Sequence, residues 1–338
     1  MAISIGGAPG TGSSLLRQML NRHPDIYCGP ETNLFAFPAL FSNWPRYRSR
    51  LPGGRRVLGA ALIAPSIRVI HETRLAGKEQ TWSWPLIREV ASQSESFELF
   101  CSAYFAQPCA IYQKRLWAEK TPANVLTFTE FLHAWENGIV VHMMRDPKDT
   151  IASLLDRGMT LFEATSRYLF NCAHALKMVR HRRSLAIRYE DLVSDPARSL
   201  MPLLTLAGLN YDPAMAEPGN PAMEETDRLK GWQFSETERP QTGSVGRFQM
   251  ATDQVQAEIL AALQLVHLQI SYARSAGLDH TTMASCAEQM GYHFKSPTTS
   301  HSGPVADLLR RQEKTYRRKR LLKDWWYERN KPMRIADL

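Results

Sequence analysis

Ala8-Pro9-Gly10-Thr11-Gly12-Ser13-Ser14 joins an apolar run, Ile3-Ser4-Ile5-Gly6-Gly7, to the amphipathic stretch Leu15-Leu16-Arg17-Gln18-Met19-Leu20. A strand, a glycine-rich turn bearing hydroxyls and a helix in that order make a phosphate cradle. Backbone N–H groups and the helix N-terminus favour a multiply charged oxyanion there. Gly7, Gly12 and Ser14 keep the spacing of the G-x-x-x-x-G-K-[ST] nucleotide loop, but Ser13 stands where ATP- and GTP-binding loops carry lysine. The same glycines also suit a plain strand-to-helix turn. A second anion site is legible around Arg145, which closes another apolar run. Ser153 and Arg157 lie four residues apart on one helix face, so the three side chains can converge on one phosphate. The alternative is a surface arginine paired with Asp149 or Asp156.

These groups need elements to hold them. Ile139-Val140-Val141-His142-Met143-Met144 reads as a buried parallel strand, and Asp146-Pro147 starts the helix after it. Ile151, Leu154 and Leu155 are that helix's apolar face. Leu185-Ala186-Ile187-Arg188-Tyr189 is a third strand, followed by a turn at Ser194-Asp195-Pro196 and another helix. Ser13 and Ser14 are expected to cap the first helix, with Arg17, Gln18 and Arg22 outside its apolar face. Strand, loop and helix recurring in this order predict an α/β fold, a central parallel sheet with helices on both faces. Residues 40–110 read as a helical insertion and residues 1–295 as the α/β domain. From 296 a Ser/Pro/Thr linker leads into a basic, aromatic C-terminal extension.

The 338 residues carry a net charge of +8, and residues 308–334 hold all of that excess, with eleven Lys or Arg against three Asp or Glu. That stretch, with Trp325-Trp326-Tyr327, suggests contact with an anionic surface, although a helix packed on the domain with solvated charges explains it equally. No nucleic-acid partner is predicted from it. No apolar run approaches the roughly 18 residues that cross a bilayer, and no secretory signal is visible at the N-terminus. Five scattered cysteines (Cys28, Cys101, Cys109, Cys172, Cys286) lack disulfide or zinc spacing, so a cytoplasmic protein without a structural metal is expected.

Five ordered motifs resemble the sulfotransferases that use 3'-phosphoadenosine 5'-phosphosulfate, above all the tyrosylprotein and bacterial branch. They are Pro9 to Ser14, Gly29-Pro30-Glu31-Thr32, Glu119-Lys120-Thr121-Pro122, Arg145 to Ser153, and Arg188-Tyr189-Glu190-Asp191-Leu192. Ser244-Val245-Gly246-Arg247-Phe248 is a looser sixth, and the match covers roughly residues 1–250. The resemblance implies a kinase-like three-layer fold, a phosphosulfate donor and a reaction that needs no metal ion, in which the absence of a loop lysine is normal.

It also implies roles. Glu31 matches the general base that takes the acceptor hydroxyl's proton, and Lys120 the cation that stabilises the transferring sulfuryl oxygens. Ser244 matches a serine supporting the transition state. Pro9, Gly10, Thr11, Gly12, Ser13 and Ser14 match the 5'-phosphosulfate loop. Arg145, Ser153 and Arg157 match the 3'-phosphate site, with Tyr189 and Arg247 beside the nucleotide. At Gly10 the chain departs from the family, where many members carry Arg or Lys, and Lys120, Arg17 or Arg247 is expected to compensate. The acceptor implied is a hydroxyl on a glycan, peptide tyrosine, lipid or small molecule. Competing readings are a small-molecule P-loop kinase, which Ser13 opposes, and a non-catalytic nucleotide- or glycan-binding protein of the same fold, which Gly10 motivates.

Overall fold

The computed structural model describes residues 1–29, 31–48, 84–217, 242–293, 302–319 and 332–336. Pro30, residues 49–83 of the expected insertion, the 296–300 linker and Trp325-Trp326-Tyr327 lie outside the described residues. Five parallel strands form the central sheet: β1 (Ala2–Gly7), β2 (Ile26–Cys28), β3 (Leu116–Lys120), β4 (Ile139–Met144) and β5 (Ser184–Arg188). Their order is β2-β3-β1-β4-β5. β1, β3 and β4 are buried at every position, as helices on both faces require, whereas β5 is an edge strand with partly exposed residues. Because β1 lies between β3 and β4, the chain segments leaving these three strands meet at one end of the sheet. Open α/β sheets bind their ligands in such a crevice.

Helix α1 (Ser13–Arg22) follows β1. The described part of the region expected to be helical contains short turns at Pro38–Ser42 and Trp44–Tyr47, then α2 (Trp84–Gln93) and α3 (Phe97–Tyr112). Next come α4 (Phe128–Ala134), α5 (Pro147–Asp156), α6 (Leu161–Leu176), α7 (Tyr189–Ser194) and α8 (Pro196–Leu206). Ile3, Ile5, Val141, Met143 and Ile187 face Leu16, Leu20, Leu192 and Leu203 on α1, α7 and α8. On the other face Trp117 and Val140 pack with Phe35, Phe105 and Phe131, and Met144 packs with α6. The result is the expected three-layer α/β architecture with a central parallel sheet.

Two expectations about helices need correction. No side chain caps α1, because Gly12 occupies the N-cap in the left-handed region (φ 89) and Ser13 is already helical. Arg17 and Gln18 are buried, since α1 is covered by β2 and β3 on one side and by the turn at Pro213–Ala216 on another.

The C-terminal segment is also integral where it is described. After α9 (Asp253–Leu265), β6 (Val266–Leu268), α10 (Ile270–Ala276) and α11 (Met283–Gln289), helix α12 (Ser302–Lys319) returns to the domain. Val305, Ala306, Leu309 and Tyr316 form its buried stripe against α6 and α9, while Arg310, Arg311 and Lys314 stay exposed. β7 (Met333–Ile335) pairs antiparallel with β6. Residues 302–319 and 332–336 therefore belong to the packed body rather than to a separate extension: a four-residue apolar rhythm outweighs the charge between its members.

Phe35 anchors the segment after β2. Its ring lies parallel to Trp117 at 5.8 Å and edge-on to Phe131 and Trp135 at 5.4 and 5.6 Å, and its carbonyl accepts the Thr127 hydroxyl. Such aromatic pairs add about 0.5–1.5 kcal/mol each beyond simple burial. Phe35→Ala should therefore cost about 3–5 kcal/mol in urea unfolding. A loss below about 1 kcal/mol would show that the cluster relaxes around the gap.

Two buried imidazoles set a pH dependence. Burial lowers the pKa of His142 on β4 to about 4 and that of His174 on α6 to about 3, from an ordinary 6.5. The unfolded chain takes up these protons first, so stability present above about pH 6.5 is lost progressively as pH falls toward the folded values. Urea midpoints should fall from about pH 7 to about pH 5, and His142→Leu should flatten that fall. An unchanged slope in the variant would clear His142 of the effect.

Candidate active site

The loop after β1 is shaped by its backbone. Gly10 and Gly12 both sit in the left-handed region (φ 85 and 89), where a side chain is strained. A Cβ on Gly12 would also lie 2.4 Å from the Tyr189 ring, and one on Gly10 3.3 Å from Leu154 of α5. Thr11 is fully buried and its hydroxyl donates to the Ala8 carbonyl at 2.8 Å, closing the turn. Ser13 is buried, while Pro9, Gly10, Gly12 and Ser14 are half-buried on the loop. The first turn of α1 directs its backbone N–H groups toward this concavity.

Lys120 reaches the same loop from the end of β3. Its side chain is only 3% exposed; Nζ donates to Ser14 Oγ at 3.1 Å and forms a close ion pair with Glu31 Oε1. The two residues expected to act on the transferring group and on the acceptor therefore touch, although they lie 89 positions apart in the chain. Glu31 itself is a quarter exposed. The cation is buried and its carboxylate partner opens toward solvent.

Arg145 closes β4 and is 3% exposed. Its Nη1 donates to the Gly10 carbonyl at 3.0 Å and its Nη2 to the Ser244 carbonyl at 2.5 Å, while the guanidinium lies 4.8 Å from the centre of the Tyr189 ring. Nε is buried without a hydrogen-bond partner among the described residues. The Tyr168 hydroxyl fixes the Arg145 carbonyl at 2.5 Å. Ser153 is buried on α5, and Arg157 follows at its C-cap, exposed on its outer side. Partial desolvation, then the like charges of Arg145 and Arg247, lower the Arg157 pKa. The charges of Arg145 and Arg247 thus act on Arg157, with Asp156 opposing them.

The expected surface pairing resolves differently for each aspartate. Arg247 pairs with Asp156 at 3.0 Å. Asp149 instead accepts the backbone N–H groups of Gly246 and Phe248 at 2.7 and 2.9 Å, folding the 244–248 segment onto α5. Ser244 is half-buried, and its described contact is the carbonyl held by Arg145; none of its described contacts reaches Glu31 or Lys120.

Of the residues expected to compensate for Gly10, Lys120 contacts the loop, through Ser14. Arg17 is buried where its charge bears on the Tyr27 hydroxyl, and Arg247 is engaged by Asp156. The positive φ at Gly10 fits the departure: a side chain there would be strained and its Cβ would press on Leu154 and Thr150. The sequence did not reveal that Asp149 would hold backbone N–H groups of the 246–248 segment, nor that Glu119 would be buried among Thr32, Thr121 and Asn124. For Glu119 the signal was present, a carboxylate inside a strand next to Lys120.

The chain is similar to known proteins. The family model described as "Sulfotransferase family" matches residues 2–213. Protein-tyrosine sulfotransferase 2 of Gallus gallus is 23% identical over 253 residues, covering 67% of this chain and 58% of that protein. Protein-tyrosine sulfotransferase of Drosophila melanogaster is 24% identical over 225 residues, covering 63% of this chain and 39% of that protein. The chain thus spans about half the length of the curated relatives it matches. Among solved structures, the sulfotransferase domain of the Synechococcus PCC 7002 olefin synthase superposes with a TM-score of 0.47 at 20% identity, covering 74% of this chain and 93% of that one. The sulfotransferase domain from the curacin biosynthetic pathway gives 0.48 at 19% identity, covering 91% and 96%. With a family match across most of the α/β body and the family's motifs gathered at one end of its sheet, this chain belongs to the sulfotransferase family.

Proposed function

We propose that this protein transfers a sulfuryl group from 3'-phosphoadenosine 5'-phosphosulfate to an acceptor hydroxyl, with Glu31 as general base. The observation that carries the reading is the contact of Lys120 with both Ser14 and Glu31, which joins the phosphate loop to a half-open carboxylate. The residues present suit such a donor. Gly10 to Ser14 and the α1 N-terminus would hold the 5'-phosphosulfate; Arg145, with its unpartnered Nε, Ser153 and Arg157 would hold the 3'-phosphate; Tyr189 would lie beside the nucleotide. The donor supplies an activated sulfuryl group whose bond to the 5'-phosphate breaks as the acceptor oxygen bonds to sulfur.

Glu31 accepts the proton leaving the acceptor hydroxyl. Lys120 offers charge to the sulfuryl oxygens and shifts its hydrogen bonds from Ser14 and Glu31 toward them. Its burial strengthens that interaction, because water screens it little. The name of the curated relatives, protein-tyrosine sulfotransferase, makes a phenolic hydroxyl the first acceptor to try. A second reading, a nucleotide-binding protein without transferase activity, draws on Gly10, which brings no cation to the loop.

Adenosine 3',5'-bisphosphate should raise the melting temperature and ATP with magnesium should not, since a ligand at about 100 times its Kd stabilises the native state by about 2.7 kcal/mol. Stabilisation by ATP with magnesium alone would overturn the reading in favour of a kinase. Glu31→Gln should keep the bisphosphate shift and reduce transfer to phenolic acceptors by about 10²–10⁴-fold. Undiminished transfer would remove Glu31 as the base.

A further inference from the structure

Glu119 is 1% exposed, a carboxylate inside the strand that delivers Lys120. Burying such a charge is costly unless every lone pair is satisfied. Here Oε1 accepts the Thr32 N–H at 2.8 Å, the Thr32 hydroxyl at 3.0 Å and the Thr121 hydroxyl at 2.8 Å, and Oε2 accepts the Asn124 amide at 2.5 Å. Two of these partners pass the connection on. Thr121 Oγ1 accepts the Asn33 N–H and Thr32 Oγ1 accepts the Leu34 N–H, both at 3.2 Å. Three successive backbone N–H groups, of Thr32, Asn33 and Leu34, are thus tied to one carboxylate, directly or through a single hydroxyl. They frame Asn33, which holds a left-handed conformation (φ 57) unusual for a residue with a side chain. All of this begins at the residue bonded to Glu31.

We propose that Glu119 is the positioning residue for the general base, an inference that rests on the reading of Glu31 given above. Successive side chains of a strand point to opposite faces. Lys120 grips the Glu31 side chain on one side, and Glu119 grips the backbone that follows Glu31 on the other. Aromatic packing of Phe35 fixes the far end of the same segment. Glutamine cannot replace the carboxylate. In one amide orientation its NH2 faces the Asn124 amide, which can turn its Oδ1 toward it only by giving up its bond to the Ile5 carbonyl; in the other it faces the Thr32 N–H, which can only donate. A loosened Thr32 would let Glu31 leave Lys120, and misplacement by about 1 Å can cost about 10²-fold in rate.

The test is Glu119→Gln, with Thr32→Val as a milder variant that keeps the N–H bond to Glu119 and loses the hydroxyl, both as donor to Glu119 and as acceptor of the Leu34 N–H. For Glu119→Gln the bisphosphate thermal shift should persist, kcat should fall about 10–100-fold, and the donor KM should stay within about twofold. Thr32→Val should lower kcat in the same direction by less, and it decides the question if the glutamine variant does not fold. In a Glu31→Gln background, Glu119→Gln should cost no further activity, because it acts through the base. A crystal structure of Glu119→Gln, or of Thr32→Val in its place, should find the Glu31 carboxylate out of hydrogen-bond reach of Lys120. Unchanged kcat, an equal loss in the Glu31→Gln background, or Glu31 still seated on Lys120 would each overturn the proposal. Failure of the underlying reading looks different: the wild type would show neither a bisphosphate shift nor turnover, while the crystal structure would still decide whether Glu119 holds Glu31 in place.

Discussion

One buried ammonium ties the candidate active site together. Lys120 is brought in by β3, yet its partners belong to the loop after β1 and the segment after β2. A cation so thoroughly removed from water is tolerable only with a charged or well-placed polar partner, because desolvation otherwise outweighs the interactions gained. Glu31 supplies the charge and Ser14 a lone pair. Loops from three strands are thereby fixed to one point, and the parallel sheet makes this feasible by ending β1, β2 and β3 side by side. Glu31, a quarter exposed, thus presents to solvent a carboxylate already paired with a buried cation.

The other end of the cleft is built on a different electrostatic principle. Arg145 is as buried as Lys120, but its described hydrogen bonds go to two carbonyls, of Gly10 and Ser244, and its face lies on the Tyr189 ring. Neutral partners satisfy hydrogen-bond geometry without cancelling charge. Asp149 takes its hydrogen bonds from the backbone N–H groups of Gly246 and Phe248 rather than from the guanidinium, although its charge and that of Glu190 still bear on Arg145. The charges of Arg157 and Arg247 act on the same region, with Asp149 and Glu190 opposing Arg145 and Asp156 paired to Arg247.

Much of this was legible in the chain because it follows local rules. The apolar run 139–144, the Asp146-Pro147 helix start and the glycine-rich turn all match what forms there. Other features depend on what arrives from elsewhere. β3 contains Glu119 and Lys120, which break the apolar signature of a buried strand, and each is buried only because partners 87 to 106 positions away meet it. Arg17 and Gln18 look like the wet side of α1 until residues 213–216 are laid over it. The basic helix 302–319 read as an appendage because charge dominates its composition, while the apolar stripe from Val305 to Tyr316 faces the core only at the spacing of a helix.

Gly10 and Ser13 together explain how a phosphate loop can work without a cation of its own. A lysine on the loop must reach back over the bound phosphate, which fixes both its length and its place in the sequence. Here the loop contributes shape and backbone N–H groups, with two left-handed glycines and a buried threonine holding the curve. The charge comes from the neighbouring strand, through Lys120 on Ser14. Moving the cation from loop to strand also moves it toward Glu31, since β3 lies between β1 and β2. The substitution that looked like a defect in a nucleotide loop therefore has a geometric counterpart: the positive charge stands where the loop and a carboxylate meet.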